Sequence, residues 1–189
     1  MKKLIIGCCI FCFVAVQAFA QIPSFAQDDK VLGFGLGIFG GDAVFRSSGY
    51  SSTPYLTGYF EKCVKDNLFD EKSSIGVGAT VGFKQYKYEY TLAGDRYGWK
   101  NMYILLGARG ALHYAFADKL DTYAGLMLGY RIYSSSPIGK SSGSGGGSGA
   151  FTSDFFVGGR YYFNDKFGVF LELGYSWFSN GTIGVSIKL

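Results

Sequence analysis

With a single histidine among 189 residues, the chain has little with which to run acid–base chemistry. Folding it about Ala117 sets His113 across from Asp121, an acid–base pair. A hydrolase would need a nucleophilic serine held against that histidine. No serine has the spacing, and alternation points His113 inward near one rim, so the pair reads as a packed polar contact and the chain as no enzyme. Of four cysteines, Cys8, Cys9 and Cys12 crowd the first residues, and Cys63 stands alone beside Lys62. A lone thiol has no partner to resolve a sulfenic acid, so Cys63 reads as a buried thiol and not a redox site. One histidine and one cysteine cannot build a zinc site, and Asp28-Asp29 is too short an acidic cluster for calcium. The repeat Gly33-Phe34-Gly35-Leu36-Gly37 alternates like a strand and opens no helix, so it does not cradle phosphate. No cofactor and no metal are expected.

The remaining polar chemistry lies in charges that alternate with apolar residues. A turn centred on Asp165 sets Gly158 opposite Glu172 and brings Arg160 diagonally near it. A last loop centred on Asn180 sets Glu172 opposite Lys188. The pattern predicts an interior ion cluster of Glu172, Arg160 and Lys188, with Arg109, Arg131, Lys84, Glu61 and Asp154 nearby. Enclosed charges must pair, because an isolated buried charge costs several kcal/mol.

The elements that hold these residues are strands. Glycine (29 residues) costs a helix roughly 1 kcal/mol per position, whereas aromatics, 19% of the chain, favour pleated surfaces. From Val31 onward, segments of about ten residues alternate with period two, the signature of a transmembrane barrel. Leu32, Phe34, Leu36 and Ile38 oppose glycines in the first; Leu56 and Phe60 oppose Tyr59 and Glu61 in the second. In the third, Val77 and Val81 oppose Gly78, Thr80 and Lys84, and in the fourth Leu106 and Leu112 oppose Arg109 and His113. Leu126 and Leu128 oppose Met127 and Arg131 in the fifth; Val157 and Tyr161 oppose Asp154, Arg160 and Tyr162 in the sixth. Leu171, Leu173, Tyr175 and Trp177 oppose Glu172 in the seventh, and Ile183, Val185, Ile187 and Leu189 oppose Lys188 in the eighth. The expected fold is an all-β, eight-stranded antiparallel up-and-down transmembrane β-barrel, its last strand zipped to its first.

Ahead of the barrel, Lys2 and Lys3 precede an apolar run over residues 4–16, and Ala18-Phe19-Ala20 supplies a cleavage pattern. The expected domains are a signal peptide over 1–20, an N-terminal periplasmic segment over 21–29 and a barrel over 30–189; a second cut after Ala26 is an alternative. Ile5-Ile6-Gly7 before Cys8 resembles a lipobox, with only a stub of apolar segment upstream. Removing Lys2 and Lys3 lowers the net charge from +4 to +2, too little to argue for nucleic acid. Short connections at 115–119 and 164–166 suit the periplasm, with 65–72 a longer turn there; the long stretches 41–52, 85–99 and 134–149 suit outer loops, and 179–181 a short one. The Gly/Ser-rich run inside 134–149 is expected to be mobile. Tyr86, Tyr88 and Tyr90, beyond the third strand, read as an interfacial belt on a strand extension in preference to an adhesive surface.

A soluble lipocalin-like barrel would show a hydrophilic outer face. Here the second face is glycine with a few charges and tyrosines, which suits a crowded lumen, while the apolar face is continuous. The stretch Gly158-Gly159-Arg160-Tyr161-Tyr162-Phe163-Asn164-Asp165-Lys166-Phe167-Gly168-Val169-Phe170-Leu171-Glu172-Leu173-Gly174-Tyr175 resembles the strand, tight turn and strand near the end of small OmpA- and OmpX-like, porin-like outer-membrane barrels of Bacteroidetes type. The chain ends in Leu189, where many proteobacterial barrels end in Phe. The resemblance implies a Gram-negative outer membrane, lipopolysaccharide and phospholipid as surroundings, and the outer-membrane assembly machinery as a partner. The resulting expectation is a side-chain-filled scaffold displaying its loops to an extracellular ligand at the cell surface, with a narrow porin-like channel, and then a lipid-modifying barrel enzyme, as alternatives.

Overall fold

A computed structural model describes residues 25–40 and 49–189. The expected signal peptide therefore lies outside the described residues, as does 41–48 of the first expected loop. Nine strands form: β1 (Lys30–Phe39), β2 (Tyr50–Ser52), β3 (Leu56–Asp66), β4 (Ser73–Leu92), β5 (Asp95–Ala117), β6 (Leu120–Gly139), β7 (Gly146–Tyr162), β8 (Phe167–Tyr175) and β9 (Gly181–Lys188). All pairings are antiparallel and, with the short β2 set aside, join neighbours in sequence, except that β1 also pairs with β9, from Val31↔Lys188 to Phe39↔Gly181. That pairing, together with β4 on β5, closes eight strands into a ring; β2 is a short addition to the far end of β4. The expected eight-stranded barrel is what forms.

Alternation sorts the faces. Phe34, Leu36, Leu126, Leu128, Leu171 and Val185 point away from the ring, and Leu126 and Leu128 are 59% and 67% exposed. A continuous outer coat of this kind has no counterpart on a soluble barrel, whose apolar side faces inward. It is flanked by Phe116, Tyr161, Phe163 and Phe167 at the end holding Lys30 and Lys188, the base, and by Tyr130, Phe155 and Tyr175 toward the opposite end, the mouth. Two aromatic girdles bounding an apolar band mark a lipid-facing surface. Inward positions alternate bulky side chains with glycine because the ring is narrow. A Cβ on Gly33 would stand 2.2 Å from the Tyr59 ring, and one on Gly76 would stand 3.0 Å from both Glu61 and His113.

At the base, β3 and β4, β5 and β6, and β7 and β8 join through short turns. In the last, the Asn164 side chain accepts hydrogen bonds from the backbone of Lys166 and Phe167. At the mouth the expected loops are largely strand. Residues 85–99 form the upper parts of β4 and β5, joined by Ala93 and Gly94 alone, and 134–149 forms the ends of β6 and β7 around residues 140–145. The glycine-serine run is thereby drawn into β7 instead of a loop, since its small residues lay their backbone against β6 without a clash. The sheet thus rises past the girdle, and on its outer side Lys87 and Arg96 engage Glu89. The hydrogen bond from Lys87 holds the Glu89 carboxyl below the ordinary carboxylate range.

Ala93 (φ 51°) and Gly94 (φ 84°) both lie in the left-handed region, as a two-residue hairpin turn of the favoured hand requires. The left-handed conformation costs a residue with a Cβ roughly 1–2 kcal/mol. Replacing Ala93 by Gly should therefore slow hydrogen exchange at the amides of Leu92 and Asp95, which face each other across the turn, and Gly94→Val should speed it.

Candidate functional site

The charged residues expected in the lumen are there, but in a different arrangement. Gly158 does face Glu172. The β8–β9 register, however, pairs Glu172 with Thr182 and Gly168 with Ser186, so Lys188 lies several residues below Glu172 at the base. There it binds Asp29 at 2.8 Å. Arg160 does not reach for Glu172 either: its Nη2 donates to Glu61 at 2.9 Å, and its Nη1 lies 3.4 Å from Asp121. The centre of the cluster is Glu61. Its carboxylate meets Arg160, His113 at 3.2 Å and, more loosely, Arg109 at 3.9 Å, and it is wholly buried.

Arg109 donates to Glu172 at 2.8 Å, and its guanidinium lies over the rings of Tyr59 (4.1 Å) and Phe156 (4.4 Å). Tyr123 donates to the same Glu172 oxygen at 2.9 Å. This is the geometry a guanidinium favours, with charge on one edge and π-faces above and below. His113 stands cross-strand from Tyr123, and Asp121 from Ala115, because a register shift between Ala115 and Ala117 offsets the hairpin. The side chains still meet, with Nδ1 2.9 Å from Asp121 and Nε2 3.2 Å from Glu61. Each contact needs a proton on the ring nitrogen. An imidazolium satisfies both, and it balances the carboxylates of Glu61, Asp121 and Glu172 against the cations Arg109, Arg160 and His113. With both nitrogens engaged by acids, His113 is not a free general base.

Three residues expected near this cluster sit at the mouth. Lys84 donates to the Phe178 carbonyl at 3.1 Å, and Arg131 lies 4.0 Å over the Trp177 ring. Trp177 follows the end of β8 instead of extending it. Asp154, with Glu172 and the threonines Thr57, Thr80 and Thr182, borders a cavity of about 60 Å³, room for a few waters. Tyr55 stacks on Phe178 at 5.2 Å above it, with Leu105 and Met127 in the same buried cluster. Apart from this cavity, side chains of the described residues occupy the interior from base to mouth.

The base carries a contact that sequence reasoning missed. Phe25, in the segment expected to lie in the periplasm, is 1% exposed; its ring lies 4.4 Å from His113, and its carbonyl accepts from Ser74 Oγ at 2.9 Å. The apolar-polar break between Phe25 and Asp28 was the available signal. Cys63 is buried in the same cluster, with Sγ 3.6 Å from the Lys65 carbonyl. Among the described residues no group of histidine, cysteine or acid side chains is arranged to hold a metal.

The ring closure, the lipid-facing coat and the filled interior together define a small eight-stranded transmembrane β-barrel. The fold is similar to that of the attachment invasion locus protein Ail of Yersinia pestis in complex with the heparin analogue sucrose octasulfate, at TM-score 0.51 and 10% identity over 86% of this chain and 96% of that one. The N-terminal β-barrel domain of Pseudomonas aeruginosa OprF aligns at TM-score 0.43 and 13% identity, over 87% of this chain and 98% of that domain. No family model and no curated protein matches the chain.

Because Glu61 holds three cations in a dry site, Glu61→Gln should destabilise the barrel by about 3–5 kcal/mol, the scale for stripping one partner from a buried ion pair. Glu172→Gln should cost less than half as much, since Arg109 keeps its two aromatic faces. Urea midpoints of the protein refolded in micelles measure both; equal losses would contradict a cluster centred on Glu61.

Proposed function

We propose that the chain is a Gram-negative outer-membrane barrel, exported by a signal peptide over residues 1–20, that serves as a surface-interaction scaffold. The observation that carries this reading is the division of labour along the strands: the membrane zone is packed shut, while β4 to β7 continue above the lipid-facing coat as an ordered sheet. A passage for solutes has no need of such a sheet. A docking platform does, because strands paired on both sides hold side chains more rigidly than loops. With the base and its short turns in the periplasm, the sheet faces outside the cell, and lipopolysaccharide and phospholipid surround the apolar coat. The attachment invasion locus protein Ail, similar in fold, has been crystallised in complex with a heparin analogue, which supports a ligand-binding role for this chain. No catalytic role is assigned, since both nitrogens of His113 are committed to carboxylates. Assembly through the outer-membrane machinery and a Bacteroidetes-type lineage belong to the same proposal.

Deleting residues 86–101 and joining Gln85 to Met102 through a two-residue turn removes the upper β4–β5 hairpin and spares the membrane zone. Cells carrying that variant should still show heat-modifiable migration of the barrel on gels and should lose adhesion to surfaces or other cells. Planar-bilayer recording of the intact protein should give no sustained large unitary currents; such currents would favour the channel alternative.

A further inference from the structure

Above the lipid-facing coat the sheet sorts its side chains by chemistry. On β4 the lumen side carries Thr80, Gly82 and Lys84, and alternation continues that side into Tyr86, Tyr88 and Tyr90. These tyrosines therefore do not belong to a lipid-facing belt, whose parity on β4 is that of Val77 and Val81. On β5 the same side carries Asn101, Trp99 and Tyr97, since Trp99 pairs with Tyr88 and Tyr97 with Tyr90. The rings meet in two groups: Tyr88 with Tyr90 at 5.8 Å and Tyr90 with Tyr97 at 5.7 Å toward the tip, and Tyr86 with Tyr103 at 5.7 Å nearer the mouth. Charge is confined elsewhere. Lys87, Glu89, Arg96 and Lys100 take the opposite side; among the described residues the aromatic side meets charge at Lys84 and Arg131 in the mouth, against Tyr86 and Tyr103, and at the Asp95–Lys140 pair by the tip.

We infer that this face is a binding site for an uncharged, extended glycan, a deepening that rests on the surface-interaction reading above. A sugar ring offers a C–H face that packs on an aromatic face and hydroxyls that need hydrogen-bond partners at its edge. Both are present: Tyr88 and Tyr90 are 50% and 47% exposed, and Asn101, among them, accepts from Tyr133 (3.0 Å) and Ser135 (2.8 Å) through its carbonyl oxygen. That leaves the Asn101 amide N–H groups to donate to a hydroxyl. Around Tyr88, Tyr90, Tyr97 and Trp99 the charges among the described residues are paired, as at Asp95–Lys140, which favours a neutral, hydroxyl-rich ligand over a charged one. A peptide adding as a strand finds no free backbone edge on β5, which is paired with both β4 and β6 from Tyr97 to Tyr114, and beside Tyr86–Tyr88 the edge of β4 is taken by β2. The run of Tyr86, Tyr88 and Tyr90 along one strand suits an extended β-linked chain, whose rings follow one line.

The two tryptophans of the chain make the test direct. In Trp177→Phe, Trp99 becomes the sole indole reporter within the aromatic face. The full protein, refolded in an amine-oxide detergent that carries no sugar headgroup, is titrated with cellohexaose, with chitohexaose and with a heparin hexasaccharide. The expected result is a saturable change in Trp99 emission with the neutral hexasaccharides, weakened about tenfold by Tyr88→Ala or Tyr90→Ala, each of which removes one exposed stacking ring. Heat-modifiable migration verifies that these variants keep the barrel. No saturable change with either neutral chain up to millimolar concentration overturns the inference, and so does tighter binding of heparin or a tyrosine variant that binds as well as the parent. If the hairpin deletion abolishes adhesion while no neutral glycan binds, the glycan assignment falls and the surface-interaction reading stands.

Discussion

The structure depends on the pairing of β1 with β9. In hydrocarbon there is no water to satisfy an open strand edge, so a sheet crossing lipid must close on itself. Closing with eight strands fixes a ring so narrow that its interior is occupied by side chains. From that narrowness follow the glycines facing Tyr59 and Glu61, the dense stacking of Tyr55 on Phe178, and the need for every enclosed charge to find a partner. The Glu61 cluster is the electrostatic consequence of closure. Three acids and three cations fit a narrow ring only because each carboxylate meets more than one donor, and the buried His113 is held between two of them.

The barrel itself was legible in the sequence because its signal has period two and lipid enforces that period at every outward position. Leu126, Leu128, Val157 and Val185 point outward as alternation required. Register was much less legible. The sequence places Lys188 opposite Glu172 only if the last loop is symmetric about Asn180. In the structure 176–180 joins the strands, Ser179 donates to the Gly181 carbonyl, and the pairing comes to Glu172↔Thr182. Similar offsets occur at Cys63/Lys65 and Ala115/Ala117. A bulge of one residue changes which inward side chains share a level while leaving inward and outward intact. Glu61, Arg109, Arg160 and Glu172 were named from the sequence as inward charges, but His113 and Asp121 were read as a separate pair, Lys84, Arg131, Asp154 and Lys188 lie elsewhere, and the partners could not be read. The identification of Glu172 as the centre failed for that reason.

The outer sheet was hidden for another reason. Above the membrane nothing enforces an apolar outward row, so the alternation of Lys87 and Glu89 with Tyr88 and Tyr90 reads as a polar loop. What makes it sheet is continuity: once β4 and β5 are in register through the membrane, each further pair costs little additional ordering, and the two-residue turn at Ala93-Gly94 completes the ladder. The same propagation draws the glycine-serine run of β7 onto β6, although its composition suggests a linker.

Closure also decides where function can reside. A lumen crossed by the ion pairs of Glu61, Asp121 and Glu172 leaves little room for a passing solute, and loosening it would strand charges such as Glu61 at a cost comparable to much of a small protein's stability. Evolution can vary such a barrel cheaply only where side chains are released from the packing constraint, which is above the girdle. There the inward parity persists but the ring no longer confines it, so the positions that must be glycine or tightly packed at Gly76 and Gly82 become free to be large at Tyr88 and Tyr90. The aromatic face is the lumen's own face continued to where there is room for a partner.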